Sequence, residues 1–312
     1  MNTRATASDR SVSGTLALVV AVVLFSTIEI ASKDIQKSGV NIDAFILVFI
    51  RFFITGLILL GLGLPSRVRQ GLSLGVRDYG MFMLNGVLGI GVAISLFHMS
   101  IMVFRNASSS AVVFSANPVF VAALAPFINK EMLGFKHVCA VFLGALGILC
   151  FAFESGHMAA DSLWGMLLML ASAFFFALSV CISKRIIPRY GPLVLMGFSA
   201  LFGSLVVLPI GLMRSEPGIM EDVMKAWGGV LYIAVAGTAL AYGLYYYGLG
   251  KTSAYRASMT FFLKPVLAMV LAIMLRGEQV NRYTVGGTVM ILLGLTLALA
   301  VKSRVRVTGD ST

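Results

Sequence analysis

The chain contains two copies of one apolar unit, and this duplication limits the folds open to it more than any other feature. Residues 14–33 read GTLALVVAVVLFSTIEIASK and residues 165–184 read GMLLMLASAFFFALSVCISK, an offset of 151 residues. Farther along, an offset of 147 residues aligns three identical pairs: Pro118 with Pro265, Glu131 with Glu278, and Gly147 with Gly294. A duplicated, lipid-soluble unit is typical of membrane proteins built from two structural repeats.

Composition indicates that each copy crosses a bilayer several times. Apolar residues make up 59% of the chain and charged residues 12%, against about 45–50% and about 25% in average globular chains. The backbone must satisfy its own hydrogen bonds in lipid, so each run of about 20 apolar residues is expected to be a helix. We predict ten spans: 13–32, 43–64, 79–103, 107–128, 134–154, 163–186, 192–213, 228–249, 257–276 and 283–301.

Basic residues set the expected orientation. If both termini are cytoplasmic, 15 of the 24 Lys and Arg residues fall inside and 7 outside, while Arg51 and Lys264 lie within spans. The positive-inside rule therefore favours cytoplasmic N and C termini. Because five spans per copy is an odd number, the second copy enters the membrane upside-down. The predicted fold is an all-α membrane protein of two inverted five-helix repeats, residues 13–154 and 163–301, with a site near the midplane.

Several other classes of protein are disfavoured. The net charge of +11 is explained by basic loops that face anionic lipid heads, so no nucleic-acid partner is expected. The sequence has no CxxC, HExxH or P-loop motif, and no spacing suggests a Ser-His-Asp set. The cysteines fall inside predicted spans, where they are interpreted as packing thiols: Cys139, Cys150 and Cys181. We expect no metal, no cofactor, no ATPase and no enzymatic activity.

The fourth and ninth spans end in related motifs. One runs from Ala116-Asn117-Pro118 to Lys130-Glu131, and the other from Leu263-Lys264-Pro265 to Arg276-Gly277-Glu278. A glycine-studded span follows each of them, with the glycines Gly144, Gly147, Gly287 and Gly294. With these motifs the whole spanning region resembles the drug/metabolite transporter superfamily, and within it the ten-helix EamA-type transporters.

The resemblance implies a role and an architecture. Members of this family carry amino acids, nucleosides, drugs and other small metabolites. A central cavity would be formed mainly by the third, fourth, eighth and ninth spans, with help from the first, second, sixth and seventh. The fifth and tenth spans would lie outside, where they could mediate packing or a homodimer. The expected location is the inner, or plasma, membrane of the cell.

Two ionisable residues fall at similar depth near the periplasmic side. Glu29 lies about 22 Å along the first span, and Arg51 about 12 Å into the second. An ionisable residue within a span is a functional hypothesis by default, and Glu29 is the candidate proton carrier. The alternatives are that Glu29 pairs with Lys33, or that it forms a structural or gating ion pair with Arg51.

Lys264 is the strongest candidate for substrate binding. It precedes Pro265 in the ninth span, and a proline loosens the helix four residues before it. A lysine at such a break can reach an anionic group in a cavity, although pairing with a carboxylate or with freed carbonyls would explain it equally simply. The matched residue in the first copy is Asn117, which is predicted to face Lys264 across the pseudo-axis.

Further polar residues have two interpretations each. Tyr242 and Tyr246 share a helix face and could stack on a substrate, or could belong to an aromatic belt at the interface. His98 and Asn85 in the third span are more often packing residues with hydrogen bonds than functional groups.

Together these residues predict a secondary active transporter that exports small amphipathic metabolites, such as amino acids, by alternating access. A zwitterion would place its carboxylate at Lys264 or Arg51 and its amine at Glu29 or the tyrosines. The alternatives are an antiporter of cationic drugs and protons, which Lys264 disfavours, and an importer of an anionic metabolite. An intramembrane enzyme or a lipid scramblase is the alternative outside transport.

Overall fold

The computed structural model describes residues 7–37, 39–103, 113–154, 160–276, 282–300 and 304–305, and almost all of them are helical. In chain order the α-helices are α1 (Ala7–Ser26), α2 (Ile28–Lys37), α3 (Ala44–Arg69), α4 (Val76–Gly86), α5 (Ala93–Val103), α6 (Asn117–Ile128), α7 (Phe135–Glu154), α8 (Ala160–Tyr190), α9 (Pro192–Arg214), α10 (Ile219–Lys225), α11 (Trp227–Tyr232), α12 (Ala241–Lys251), α13 (Ala254–Met259), α14 (Leu263–Arg276) and α15 (Arg282–Ala300).

Three segments of other helical types continue these helices. A first π segment (Val87–Val92) joins α4 to α5, and a second π segment (Ile233–Leu240) joins α11 to α12. A 3-10 turn (Thr260–Phe262) joins α13 to α14. Two short strands, β1 (Glu131–Met132) and β2 (Arg304–Val305), pair antiparallel with Glu131 opposite Val305.

The structure confirms a multi-pass helical membrane protein. Among the described residues, six helical stretches are long and apolar enough to cross a bilayer: Val12–Ser32, Ala44–Arg69, Val76–Val103, Leu163–Tyr190, Pro192–Arg214 and Trp227–Lys251. Three further helices are apolar but shorter: Asn117–Ile128, Phe135–Cys150 and Val285–Ala300. These nine stretches overlap nine of the predicted spans, and α13, the 3-10 turn and α14 share the span 257–276. Ten crossings and an inverted second repeat stay predictions.

Local sequence explains several helix ends. The Asp43 carboxylate accepts a hydrogen bond from the backbone N–H of Phe45 at 2.9 Å and so caps the start of α3. The Asp78 carboxylate accepts from the backbone N–H of Gly75 at 2.8 Å in the first turn of α4. Gly191, with φ of +82°, separates α8 from α9, because a left-handed residue ends one helix and a proline can begin the next.

Two long helix pairs organise the packing. α3 packs along α9, and α7 packs along α15. A Cβ atom on Gly147 would lie 2.7 Å from the carbonyl oxygen of Gly287, so the α7–α15 contact depends on the absence of side chains there. α5 packs on α8, and α12 packs on α1. The α5–α8 contact and the α12–α1 contact each join a helix that follows a π segment to the first helix of the other sequence copy.

The helices break at matching positions of the two copies. The offset of 147 residues superposes the first π segment on the interior of the second. The same offset places the turn at Ser115–Ala116, which precedes Asn117, on Phe262 and Leu263, at the end of the 3-10 turn that precedes Lys264. The continuous helices that the sequence predicts are thus interrupted at these points. π segments and 3-10 turns are frequent at functional sites and hinges of helices.

Candidate binding site

A small cavity lies among helices from both sequence copies. Of the ten described residues that line it, eight are apolar or aromatic, and the other two are Arg51 and Lys264. These lining residues are Phe25, Ile28, Arg51, Ile94, Phe97, Phe114, Phe176, Tyr242, Phe261 and Lys264. Small-molecule sites typically combine a mostly apolar wall with a few fixed polar groups, so this cavity is the candidate site.

Arg51 reaches the cavity from α3. Its side chain is buried, with 1% of the residue exposed. The guanidinium donates from Nε to the hydroxyl oxygen of Thr238 at 2.9 Å, and its Nη1 contacts Nε2 of His98. The guanidinium carbon also lies 5.0 Å from the ring centroid of Phe52. The cation is therefore held by groups from α3, α5 and the second π segment.

Lys264 reaches the cavity from the first turn of α14, directly after the 3-10 turn. Only 2% of the residue is exposed. Its ammonium nitrogen lies 4.9 Å from the ring centroid of Phe114 and 5.3 Å from that of Phe97. A cation over an aromatic face gains on the order of 2 kcal/mol when water is excluded. The two rings thus offset part of the cost of burying the charge.

Aromatic rings form the remaining wall. Phe25 packs edge-on against Tyr242 at 4.8 Å between ring centroids and lies parallel to Phe261 at 5.9 Å. Phe176 contacts Tyr242 and Phe261 at 6.3 Å and 5.6 Å. Such pairs prefer fixed relative orientations, so the rings support one another as well as the cavity shape. The wall suits a substrate with an apolar or flat portion.

The structure does not bring all predicted site residues to the cavity. Asn117 is buried at the start of α6, and its amide nitrogen donates to the carbonyl oxygen of Ala173 on α8 at 3.0 Å. Within the described residues, the other amide atom, Oδ1, has no hydrogen-bond partner. The side chain of Glu29 lies outside the described part of the chain, although its backbone belongs to α2 next to Ile28 of the cavity wall.

Tyr246 belongs to a polar cluster on the side of α12 that is predicted to be cytoplasmic. Its hydroxyl and that of Ser183 are 3.1 Å apart. The Asn85 side chain oxygen accepts from Ser179 and Ser183 at 3.1 Å each, and its nitrogen donates to Ser199 at 3.0 Å. The cluster joins α4, α8, α9 and α12. The interpretation of Asn85 and His98 as hydrogen-bonded residues agrees with these contacts.

Sequence reasoning missed Thr238 and the serines of this cluster. All of them are uncharged residues inside apolar runs, where small hydroxyl residues are common. The sequence around Thr238, in a span rich in glycine and alanine, contains no signal that points to Arg51. The partner residues of Thr238 and Asn85 are far away in the sequence.

The long apolar helices, their packing and the buried charged cavity define a multi-pass membrane transport protein. A family model, described as the EamA-like transporter family, matches residues 12–153 and again residues 163–300. The chain belongs to the EamA-like transporter family, in the drug/metabolite transporter superfamily. This membership confirms the resemblance found in the sequence.

Similar proteins are named as transporters. An "Uncharacterized transporter" of Clostridium kluyveri is 28% identical over 285 residues, which cover 90% of this chain and 91% of the relative. A "Probable amino-acid metabolite efflux pump" of Salmonella typhimurium is 28% identical over 239 residues, 72% of this chain and 80% of the relative. A solved crystal structure with 19% identity has a TM-score of 0.73 and covers 92% of this chain and 96% of its own, which supports the fold alone.

Proposed function

We propose that the chain is a secondary active transporter that exports small amphipathic metabolites with a carboxylate group, such as amino acids, by alternating access. The observation that carries the proposal is the presence of Arg51 and Lys264 in one aromatic-walled cavity between the sequence copies. A carboxylate that enters this cavity meets two cations, which attract it in a site of low dielectric constant. The aromatic wall accommodates the apolar part of the same molecule.

The proposed site has three parts. Lys264 and Arg51 bind the carboxylate, and Tyr242 contributes to the wall. The amine of a zwitterion contacts the aromatic faces or Glu29, which is proposed as the proton carrier. Asn117 and Tyr246 lie next to the site in polar contacts that support its helices, and they are proposed to contact the substrate in another conformation of the transport cycle.

The proposed architecture follows from the duplication. Ten helices form two inverted repeats, residues 13–154 and 163–301, with both termini in the cytoplasm and the protein in the inner, or plasma, membrane. Matching helix breaks before Asn117 and Lys264 support this arrangement. The energy source is the substrate gradient or protons. The apolar outer faces of α7 and α15, which include Phe142 and Leu293, contact lipid or a second copy in a homodimer.

Export is supported by the efflux pump from Salmonella typhimurium, which is named for amino-acid metabolites. Uptake of a purely anionic metabolite is the second candidate, because two cations in one cavity also suit a phosphate ester or a dicarboxylate. An antiporter of cationic drugs is disfavoured, since the same two cations repel its substrate.

A flux assay in liposomes tests the proposal. Purified protein is reconstituted, and transport of amino acids, dicarboxylates, phosphate esters and organic cations is measured with and without a pH gradient. We expect counterflow of one or more amphipathic amino acids and little flux of the cations. Flux of cations alone, or of none of these compounds by correctly inserted protein, would reject the proposed substrate class.

A further inference from the structure

Arg51 is held in the cavity by two side chains that do not line it. Thr238 accepts a hydrogen bond from the Arg51 Nε at 2.9 Å, and Nε2 of His98 contacts the Arg51 Nη1. Neither belongs to the cavity wall. We propose that His98, in its neutral form, and Thr238 are positioning residues that aim the Arg51 guanidinium at the substrate carboxylate. The inference rests on the proposed function and names two further residues that determine its specificity.

The chemistry of the contact fixes the protonation of His98. A guanidinium has only donors and stays protonated in proteins, so the nitrogen that faces it must carry a lone pair. The imidazole is therefore neutral, with its one ring proton on Nδ1. A second proton on Nε2 would remove the acceptor and set two positive charges against each other. Only the neutral ring can hold Arg51.

The other groups around His98 leave Arg51 as its charged partner. Among the described residues, the charged group that acts on His98 is Arg51 of α3. On α8, the Ser172 hydroxyl donates to the carbonyl oxygen of Ala93 on α5 at 2.7 Å. Lys264 of α14 lies beyond the ring of Phe97, which also contacts the His98 ring. The side chain of Glu29 is outside the described residues.

Thr238 connects Arg51 to the second π segment. Its hydroxyl accepts from Arg51 and donates to the carbonyl oxygen of Ile233, five residues earlier, at 2.7 Å. The hydroxyl of Thr55, one turn after Arg51 on α3, donates to the carbonyl oxygen of Ala234 in the same segment at 3.4 Å. A hydroxyl that both accepts and donates fixes the direction of its hydrogen bonds. The orientation of Arg51 is thus tied to the geometry of this segment.

Substitutions that keep or remove single atoms separate positioning from folding. The amide oxygen of Gln reaches roughly the place of Nε2, whereas that of the shorter Asn does not. Ser keeps the hydroxyl of Thr238, and Val keeps its shape without the hydroxyl. Loss of a hydrogen bond to a charged group costs about 1.5 kcal/mol or more, which corresponds to about a tenfold change. The half-saturating concentration of a carboxylated substrate should rise about tenfold in His98→Asn and in Thr238→Val.

The experiment measures counterflow of an amino acid and of its amide, which lacks the carboxylate, by each variant in liposomes. We expect His98→Gln and Thr238→Ser to recover most of the loss, and the amide to be affected little by any of them. In an Arg51→Gln background, His98→Asn should add no further loss. His137→Asn is the matched control, because it removes another buried histidine, whose Nδ1 accepts from the N–H of Gly134 at 3.0 Å on α7.

Two results would overturn the inference. One is a half-saturating concentration of the amino acid that is the same in well-folded His98→Asn and Thr238→Val as in the wild type. The other is that His98→Gln and His98→Asn raise the half-saturating concentration equally, and that His98→Asn raises it by the same factor again in the Arg51→Gln background. Failure of the proposed function gives a different result, since the wild-type protein would then not distinguish the amino acid from its amide at all.

Discussion

At the scale of residues, the basic side chains of Arg51 and Lys264 are almost completely buried. A charged side chain at the centre of a membrane helix costs about 3 kcal/mol on insertion scales, so Arg51 and Lys264 need compensating contacts. For Arg51 these include Thr238 and His98, and for Lys264 they include the rings of Phe97 and Phe114. Both cations also line the cavity, where they are proposed to bind a carboxylate.

Glu29 supplies a prediction at this scale. If it carries protons, Glu29→Gln should abolish transport driven by a pH gradient and keep exchange of substrate for substrate, because the neutral amide cannot take up a proton. The comparison of gradient-driven flux with counterflow in liposomes measures this. Asp34→Asn is a matched control, because Asp34 is an exposed carboxylate on the same helix, α2.

Two outcomes would count against the proton role. Normal pH-driven flux in well-folded Glu29→Gln protein would remove it directly. Poor folding of Glu29→Gln that is repaired in the double variant Glu29→Gln/Arg51→Gln would indicate a structural ion pair instead.

Much of the candidate site could be predicted at the residue scale, and the reason for the misses is physical. A charge in an apolar run stands out in a sequence, so Arg51 and Lys264 were found. Thr238 and the serines around Asn85 are common residues in membrane helices, and their contacts join positions such as Arg51 and Thr238 that are 187 residues apart. Asn117 and Tyr246 do not line the cavity, and their role as substrate contacts stays a prediction, because the direction of their side chains depends on helix rotation, which the repeat alignment does not fix.

At the scale of elements, the breaks in the helices carry the functional geometry. The sequence predicted continuous spans where the structure has two π segments and a 3-10 turn. A π segment has little signature in sequence, because it is stabilised by packing. At the first one, a Cβ on Gly203 of α9 would lie 2.5 Å from the carbonyl oxygen of Gly86. Pro265, which follows the ninth-span break, was the one visible signal.

A buried acid and a base hold the turn between α12 and α13. The Glu131 carboxylate accepts from the backbone N–H groups of Ala254 and Tyr255 at 2.7 Å and 3.1 Å. The Lys184 ammonium donates to the carbonyl oxygens of Leu249 and Gly250 at 2.9 Å and 3.3 Å. The negative charge thus lies at the N-terminal end of α13 and the positive charge at the C-terminal end of α12, and each complements the helix dipole there. On the predicted cytoplasmic side, the Glu131 contacts join one sequence copy to the other, whereas Lys184 and its two partners all belong to the second copy.

Glu131 gives a prediction about pH. Burial raises the pKa of its carboxyl above the ordinary range, and the hydrogen bonds from Ala254 and Tyr255 offset this only in part. The folded protein therefore binds the proton more tightly than the unfolded chain. The contribution of Glu131 to the free energy of unfolding is fully present below the ordinary pKa and is lost as the pH rises through the raised value.

Thermal unfolding in detergent at a series of pH values measures this contribution. The melting temperature of the wild-type protein should fall across that window relative to Glu131→Gln, which does not titrate. The control is Glu221→Gln, because Glu221 is exposed at the start of α10 and carries the same charge. Parallel curves for wild type and Glu131→Gln, or a wild-type curve that rises relative to the variant, would contradict the prediction.

At the scale of the whole molecule, the pairing of helices is consistent with the proposed alternating access. α5 packs on α8 and α12 packs on α1, so each contact joins helices of different sequence copies. The cavity lies between them, and the Asn85 cluster and the Glu131 contacts lie on the predicted cytoplasmic side. Opening toward the cytoplasm would require these polar contacts to separate, which the sequence duplication and the charge distribution alone did not indicate. The helical membrane fold, in contrast, followed from composition and repeats, and the family followed from the resemblance carried by the motifs around Pro118 and Pro265.

Lys264 provides the most direct test of the central claim, that the cavity recognises a carboxylate. Counterflow of one transported amino acid and of its amide is measured with wild-type, Lys264→Ala and Lys264→Arg protein in liposomes. We expect the wild-type protein to favour the amino acid by about tenfold or more, since a paired buried charge is worth at least about 1.5 kcal/mol. Lys264→Ala should lose most of this preference, and Lys264→Arg should keep part of it, because the charge remains while its geometry changes. If correctly inserted Lys264→Ala protein transports the amino acid as the wild type does, Lys264 is structural and the account is wrong.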